Sequence, residues 1–361
     1  MPVDRYRRVP GLVIYWAGSQ AVCFTWRSAE RIPITFDAAS LLDQLSDWTS
    51  IAQLTDRLGA GDSATAVAET VGLLLAIALI ERDADRAGEG WAPWLPEAAF
   101  FHFATKNGVF PENLLERDRG LVEKATHDPP PPTTKHVTGP RLRLASADLN
   151  SHDLASTLAA RRTWRRFSEQ PVPAAKLATV LDMTFGVQRR GEVQGQGPVI
   201  LRTSPSGGSR HPIEAYLLAW NVDGLAPGAY HYDSDSRELV DLRRTIAAGD
   251  IAVLLAHQTY FAQAAAVVIM CPVFARTMWR YPQSRAYRTV LIDAGHLGQT
   301  FCLVATALGL APFTTMAFSE SGLEECLGLD GVSESPVYIA GVGMPDPGAA
   351  ESAGRFDVRG T

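Results

Sequence analysis

Arg161-Arg162-Thr163-Trp164-Arg165-Arg166 places four arginines in six residues, and a glycine-rich run, Pro205-Ser206-Gly207-Gly208-Ser209, follows it. Planar guanidinium forks and a hydroxyl match phosphate oxygens, while glycines let a backbone approach a flat ligand closely. Together the two stretches read as a clamp for a phosphorylated cofactor. A bland reading stands beside it. Residues 151–162 carry Leu154 and Leu158 one turn apart, so the arginines also fit a solvated helix end, where the helix itself disfavours anions.

Outward from these stretches the chain alternates helix and strand patterns. Pro173 opens a helix through Val180, Leu181 and Phe185, which Gly186 stops. Residues 213–220 read as a buried strand, 229–232 and 239–242 as a hairpin about an Asp/Ser turn, and 265–271 as another apolar strand. A long helix over 286–308 carries Val290, Ala294, Leu297, Phe301 and Ala305 at helical spacing, and 337–341 closes with a strand. This order implies an α+β layer fold.

The N-terminal part reads differently. Short strands over 11–16, 21–26 and 32–36 precede three helical sets: Leu41, Leu42, Leu45 and Trp48 behind Asp37 as a cap, then Ile51, Leu54 and Leu58, then Val67, Val71, Leu74, Leu75 and Ala78. Such a unit is compatible with a small winged-helix-like domain over 1–90. An aromatic-dense segment beginning at Trp91 should pack on the larger domain, and Pro129 to Pro132 should form a stiff, exposed spacer. The expected division is therefore 1–90, a packed segment and proline-rich linker over 91–140, a large domain over 141–348, and a flexible tail over 349–361.

Composition narrows the function classes. With 361 residues, 46% apolar and 20% charged, the chain can bury a large core. Its net charge of -6 argues against a general nucleic-acid surface. Residues 1–10 lack a secretory signal, and the longest apolar run considered, 71–80, is too short to span a bilayer, so a cytoplasmic location without membrane insertion is expected. Cys23, Cys271, Cys302 and Cys326 are widely spaced and show no metal-ligand pattern, so neither a structural metal nor a disulfide framework is expected.

A resemblance sharpens the clamp. RRTWRRF (161–167) and PSGGSRHPIEAY (205–216) resemble the two flavin-binding motifs of the nitroreductase fold, in the version carried by SagB-type dehydrogenases. Further segments follow in matching order: GAYHYDSDSRELVDL (228–242), YRTVLIDAGHLGQTFCLVATALGL (287–310), APFTTMAFSESGLEECLGL (311–329) and PVYIAGVG (336–343). The likeness covers 141–345, and the unit over 10–85 resembles the PqqD-like peptide-recognition domain. It implies a nitroreductase-like FMN domain, a mixed sheet with packed helices, behind a winged-helix-like peptide-recognition region. The bland alternative for that region is a module that only packs on the catalytic body.

Under this resemblance Arg161, Arg162, Thr163 and Arg165 match positions that hold the FMN phosphate and the flavin edge. Pro205, Ser206, Gly207 and Ser209 match a turn lying against the flavin from the partner subunit, which implies a homodimer. Thr314, Thr315, Met316 and Ala317 match the loop behind the ring, although a glycine is common where Ala317 stands.

The acid/base step falls on Arg280 and Tyr281, where azoline oxidases of this family typically carry Lys-Tyr. Arginine stays protonated and cannot be a base, so Arg280 would support charge on Tyr281 or on substrate. An ordinary Arg-Tyr surface pair is the alternative. His211 is expected to orient its loop, and Asp293 with His296 to form a structural pair. The implied function is FMN-dependent oxidation of a peptide-bound thiazoline or oxazoline to an azole, beside a cyclodehydratase. The alternatives are oxidation or reduction of a small amino-acid-derived, nitro or quinone substrate, and a catalytically inactive dimeric platform.

Overall fold

The computed structural model describes residues 4–25, 30–59, 64–85, 114–149, 153–193, 197–256, 258, 261 and 263–348, with single positions between 97 and 105. The chain divides into two compact units, Met1–Val109 and Phe110–Thr361. The expected tail over 349–361 and most of the aromatic segment after Trp91 lie outside the described residues.

In the first unit the three expected strands are Val13–Ala17, Gln20–Phe24 and Arg31–Pro33, paired antiparallel in that order. Helices Phe36–Gln44, Ile51–Arg57 and Ala64–Ala76 follow. The cap of the first helix is Thr35, whose hydroxyl accepts from Ala38 N, while Asp37 sits in the first turn. Ser50 and Gln53 close a reciprocal capping box on the second. A whole three-stranded sheet, Thr49–Ser50, Arg5–Arg8 and Ile80–Arg82, escaped the sequence reading. Arg5–Arg8 lies between Thr49–Ser50 and Ile80–Arg82, and its polar composition hid it. Arg7 reaches the buried Glu81 at 2.6 Å, while Cys23, Leu42, Leu45, Leu54, Val71 and Leu79 fill the core.

The second unit is built on a seven-stranded sheet in the order Ala311–Thr315, Tyr338–Gly343, Ala266–Pro272, Ile213–Ala219, Gly228–Asp233, Glu238–Asp241 and Arg141–Leu142. The layered α+β expectation holds, and each described pairing in this sheet is antiparallel. The two central strands are buried along their whole length because both faces are covered. Their side chains alternate between two cores. Ile213, Ala215, Leu217, Val268 and Met270 face the helices Ala174–Phe185 and Ala286–Ala307, whereas Tyr216, Leu218, Val267, Ile269 and Cys271 meet Phe261, Phe313 and Leu323.

The Ala286–Ala307 helix is long and apolar enough to cross a membrane by length and composition. It surpasses the 71–80 run in that respect, yet Val290, Ala294, Leu297, Phe301 and Ala305 pack in the core. At Gly298 a Cβ would strike the ring of Tyr338, so only glycine lets the helix lie this close to the sheet.

The expected exposed spacer takes another form. Residues 114–127 form a helix; of the prolines that follow, which carry no helix or strand, Pro129 and Pro132 are exposed and Pro130 and Pro131 half-buried. Arg276 Nε donates to Pro132 O at 2.8 Å and Trp279 Nε1 to Asp128 O at 2.7 Å. Proline carbonyls without competing N–H groups make this strap an acceptor surface.

Phe301 is 0% exposed at the helix–sheet contact. Phe301→Ala should lower stability by about 3–5 kcal/mol through lost burial and a cavity, read as a shift of the urea unfolding midpoint. Phe301→Leu should cost less than half of that.

Candidate active site

The helix ahead of the arginines ends at Ala160, and Arg161 caps it in extended conformation. Residues 161–166 are not helical themselves, and Arg165 and Arg166 are exposed just beyond the helix end. Trp164 N donates to Pro312 O at 3.0 Å, the Arg162 guanidinium lies 3.6 Å over the Trp164 ring, and Phe167 packs on Phe313. The stretch therefore runs beside the Ala311–Thr315 strand. Thr314 and Thr315 finish that strand, Met316 is 67% exposed, and Ala317 N donates to Thr315 Oγ1 at 3.0 Å. Two of the three expected binding groups are thus neighbours on one wall.

The 205–209 turn is fixed elsewhere along the core helix. Ser206 Oγ donates to Asp293 Oδ2 at 2.5 Å and accepts from His211 N at 2.8 Å, while Gly207 N donates to Asp293 Oδ1 at 3.3 Å. Sequence reading pairs Asp293 with His296, but its hydrogen bonds go to this turn. Burial raises its pKa against the lowering effect of the Ser206 and Gly207 hydrogen bonds and of His296. Gly208, Ser209 and His211 all adopt positive φ, of 60°, 53° and 41°. Two non-glycine residues in that region mark a strained turn held by its surroundings.

Arg280 ends the Phe274–Arg280 helix and Tyr281 caps it. The structure sets this dipeptide directly on the turn. A Cβ on Gly208 would come within 2.6 Å of Arg280 Cδ and Nε and 2.7 Å of Tyr281 Oη, so the absent side chain is what admits them. Arg280 Nε donates to Tyr281 Oη at 3.3 Å. Both residues are half-buried, with the Arg280 guanidinium 5.5 Å from the Tyr281 ring centroid and its Nη1 buried.

Behind the turn lies a buried polar network that sequence reading missed. Arg276 Nη1 sits 2.6 Å from Glu214 Oε1 and donates to His211 O at 3.1 Å, and His231 Nε2 lies 2.9 Å from Glu214 Oε2. Burial pushes the Glu214 carboxyl up, but Arg276, His231 and Arg202 outweigh it and hold its pKa below the usual range. Arg202 donates to Ile213 O and Ser234 Oγ, and burial lowers its pKa to about 10. A glutamate inside an otherwise apolar strand was the available signal, since a buried carboxylate requires a partner. His211 is 5% exposed, and burial with nearby Arg202 depresses its pKa to about 3, so it stays neutral, while its backbone N and O bond Ser206 and Arg276.

The model of the nitroreductase family matches residues 158–344, more than half of the chain. The chain belongs to the nitroreductase family. A protein of Methanocaldococcus jannaschii assigned to the nitroreductases is 27% identical over 57% of this chain and 98% of its own length. The trifolitoxin-processing protein TfxB of Rhizobium leguminosarum bv. trifolii is 33% identical over 38% of each chain, and the microcin B17-processing protein McbC of Escherichia coli is 28% identical over 39% of this chain and 53% of its own. The chain thus spans about half of McbC or less of TfxB. A solved nitroreductase-type structure from Anabaena variabilis superposes with TM-score 0.54 at 24% identity, over 69% of this chain and 47% of that one, and shares the fold. In this nitroreductase-family chain the arginine wall, the strained turn and the Arg280-Tyr281 pair all fall inside the matched region.

Neutral His211 carries a pH consequence. The unfolded chain binds its proton near 6.5 and the folded chain near 3, so between those values the unfolded state holds more protons. Stability attributable to His211 should be complete above pH 6.5 and fall by about 1.4 kcal/mol per pH unit below it. Subtracting the urea-unfolding pH profile of His211→Asn from that of the wild type isolates this slope; a flat difference between pH 4 and 6 contradicts it.

Proposed function

We propose that this protein is an FMN-dependent dehydrogenase of the SagB type that oxidises a peptide-bound thiazoline or oxazoline to the azole. The observation that carries this reading is the seating of Arg280-Tyr281 on Gly208, which puts an acid/base candidate against the turn matching the family's flavin contact. Similarity to proteins named for processing trifolitoxin and microcin B17 supports a peptide substrate. A cyclodehydratase would supply the azoline.

The residues present fit FMN. Arg161, Arg162 and Arg165 flank Trp164, whose N–H bonds Pro312 O on the strand that ends at Thr314 and Thr315, and Gly207 and Gly208 form a side-chain-free turn against which Thr289, Arg280 and Tyr281 pack. FMN supplies a hydride acceptor when bound. Thr163 would add a hydroxyl to the phosphate contacts, and the backbone from Thr315 to Ala317 would face the ring. Tyr281 Oη would take the proton from the carbon beside the azoline carbonyl, with the Arg280 guanidinium supporting charge on that oxygen.

Pairing of two copies would complete the site. Leu154, Leu158, Tyr287, Ile292 and Met316 are 66%, 50%, 43%, 56% and 67% exposed in the single chain. Exposed apolar residues flanking a site mark an interface. The first unit supports leader recognition. After four short strands over 5–33, its helix–strand–helix–helix–strand order, 36–44, 49–50, 51–57, 64–76 and 80–82, is compatible with a winged-helix-like module, and a sheet of that kind would accept an added peptide strand.

Arg280 in place of the family's usual lysine supports a second reading, FMN-dependent oxidation or reduction of a small molecule. Rapid bleaching of bound flavin by NAD(P)H without peptide would favour its reductase form.

FMN-loaded protein given azoline peptides should remove two mass units per ring by mass spectrometry; no such loss with any azoline peptide refutes the azole-forming reading. Tyr281→Phe should keep its flavin and slow this conversion by roughly 10²–10⁴-fold. Leu158→Glu with Ile292→Glu should convert a dimer to a monomer in light scattering and weaken flavin retention together.

A further inference from the structure

Arg210 is 1% exposed, and the circumstances of its charge differ from those of every other buried cation near the turn. Arg276 has Glu214, and Arg202 has Ile213 O and Ser234 Oγ. Arg210 Nε reaches only the Gly208 carbonyl at 3.2 Å, its Nη2 has no acceptor among the described residues, and its guanidinium stands 5.7 Å from the Trp279 ring centroid. Burial lowers its pKa and Arg280 lowers it further; Tyr281 and Arg276 are the other charges acting on it, with no carboxylate among them. Arg280 packs on the same Gly208 and also holds a buried Nη1 with no acceptor among the described residues.

Two guanidinium groups converging on one glycine repel each other, and an unpaired buried charge costs several kcal/mol. Such an arrangement persists where a counter-charge arrives with a ligand. We propose that Arg210 and Arg280 form a site for an anionic oxygen group at Gly208, separate from the 161–165 arginines, and that its occupant is a carboxylate of the substrate, the C-terminal or a side-chain one where the substrate is a peptide. The buried, unmatched charge carries the site, and the flavoenzyme reading above supplies only the identity of the occupant. The positive end of the indole-stacked Arg210 is fixed in place, since Trp279 is itself held by Asp128 O and its own carbonyl by Lys124 Nζ at 2.7 Å. A planar carboxylate can accept from both guanidinium edges at once, which a neutral amide cannot match.

Two binding measurements test this without turnover. Holoprotein is titrated with 2-phenylthiazoline-4-carboxylate and with its carboxamide, following the flavin absorbance; apoprotein is titrated with FMN and with riboflavin, following flavin fluorescence. Arg210→Gln and Arg280→Gln should each weaken the carboxylate about tenfold or more and the carboxamide less than about twofold, with Arg210→Lys recovering most of the loss. FMN weakened about tenfold with riboflavin and the carboxylate unchanged would keep the anion site but give it to the cofactor phosphate, overturning the substrate assignment. If both glutamine variants leave all four ligands unchanged, or shift all four alike, the anion site itself is wrong. Should Arg210→Gln not fold, Arg280→Gln and Arg210→Lys carry the comparison. Tight carboxylate binding without azoline oxidation would sink the azole reading and leave this site standing.

Discussion

The contact between Glu214 and Arg276, buried at 1% and 3% exposure, ties together the parts of the molecule that make the site. Glu214 belongs to a central strand of the sheet, and Arg276 to the helix that ends in Arg280. From that position Arg276 also holds the carbonyls of His211, behind the strained turn, and of Pro132, on the strap. A buried ion pair adds little net stability over well-packed apolar residues, but loss of one partner leaves a buried charge unmatched. Its value here is geometric. One guanidinium with several fixed N–H directions sets the spacing between sheet, turn, helix and strap.

The strap illustrates how tertiary context overrides a local reading. Consecutive prolines imply an extended chain without N–H donors, and residues 129–132 form neither helix nor strand. What composition could not reveal is that two donors, Arg276 and Trp279, lie more than 140 residues away in sequence and face this run of carbonyls. The same limitation hid the Arg5–Arg8 strand. Its Arg7 meets Glu81 and Trp48 and its Arg8 meets Asp43, so no apolar alternation marked it.

Elements with regular apolar spacing were legible. The helix that Gly186 stops and the long helix through Val290 and Phe301 fall where periodicity places them, because a buried face repeats at 3.6 residues. The central strands were legible as apolar runs, though not their order in the sheet, which depends on pairings far apart in sequence. Within the candidate site, the motifs at 161–167 and 205–216 were visible as composition. Their placement was not. That Gly208 receives Arg280 and Tyr281, and that Asp293 anchors Ser206, are long-range facts that single motifs do not encode.

Position 280 shows how packing and chemistry constrain each other. A guanidinium remains protonated, so any base in this dipeptide is Tyr281. The flat guanidinium also fits where it is: its Cδ and Nε lie against Gly208, its Nε–H points to Tyr281 Oη, and its remaining edge stays buried. An ammonium in its place would be a compact point charge with strong hydration, harder to lay between a glycine and a phenol ring. Arginine here therefore goes with a fixed, non-titrating charge, which stabilises a negative oxygen without taking up or releasing a proton itself. In the proposed oxidation that division would leave proton movement to Tyr281 and charge compensation to Arg280, and it would make the second guanidinium, Arg210, an addition to the same positive field instead of a redundant copy.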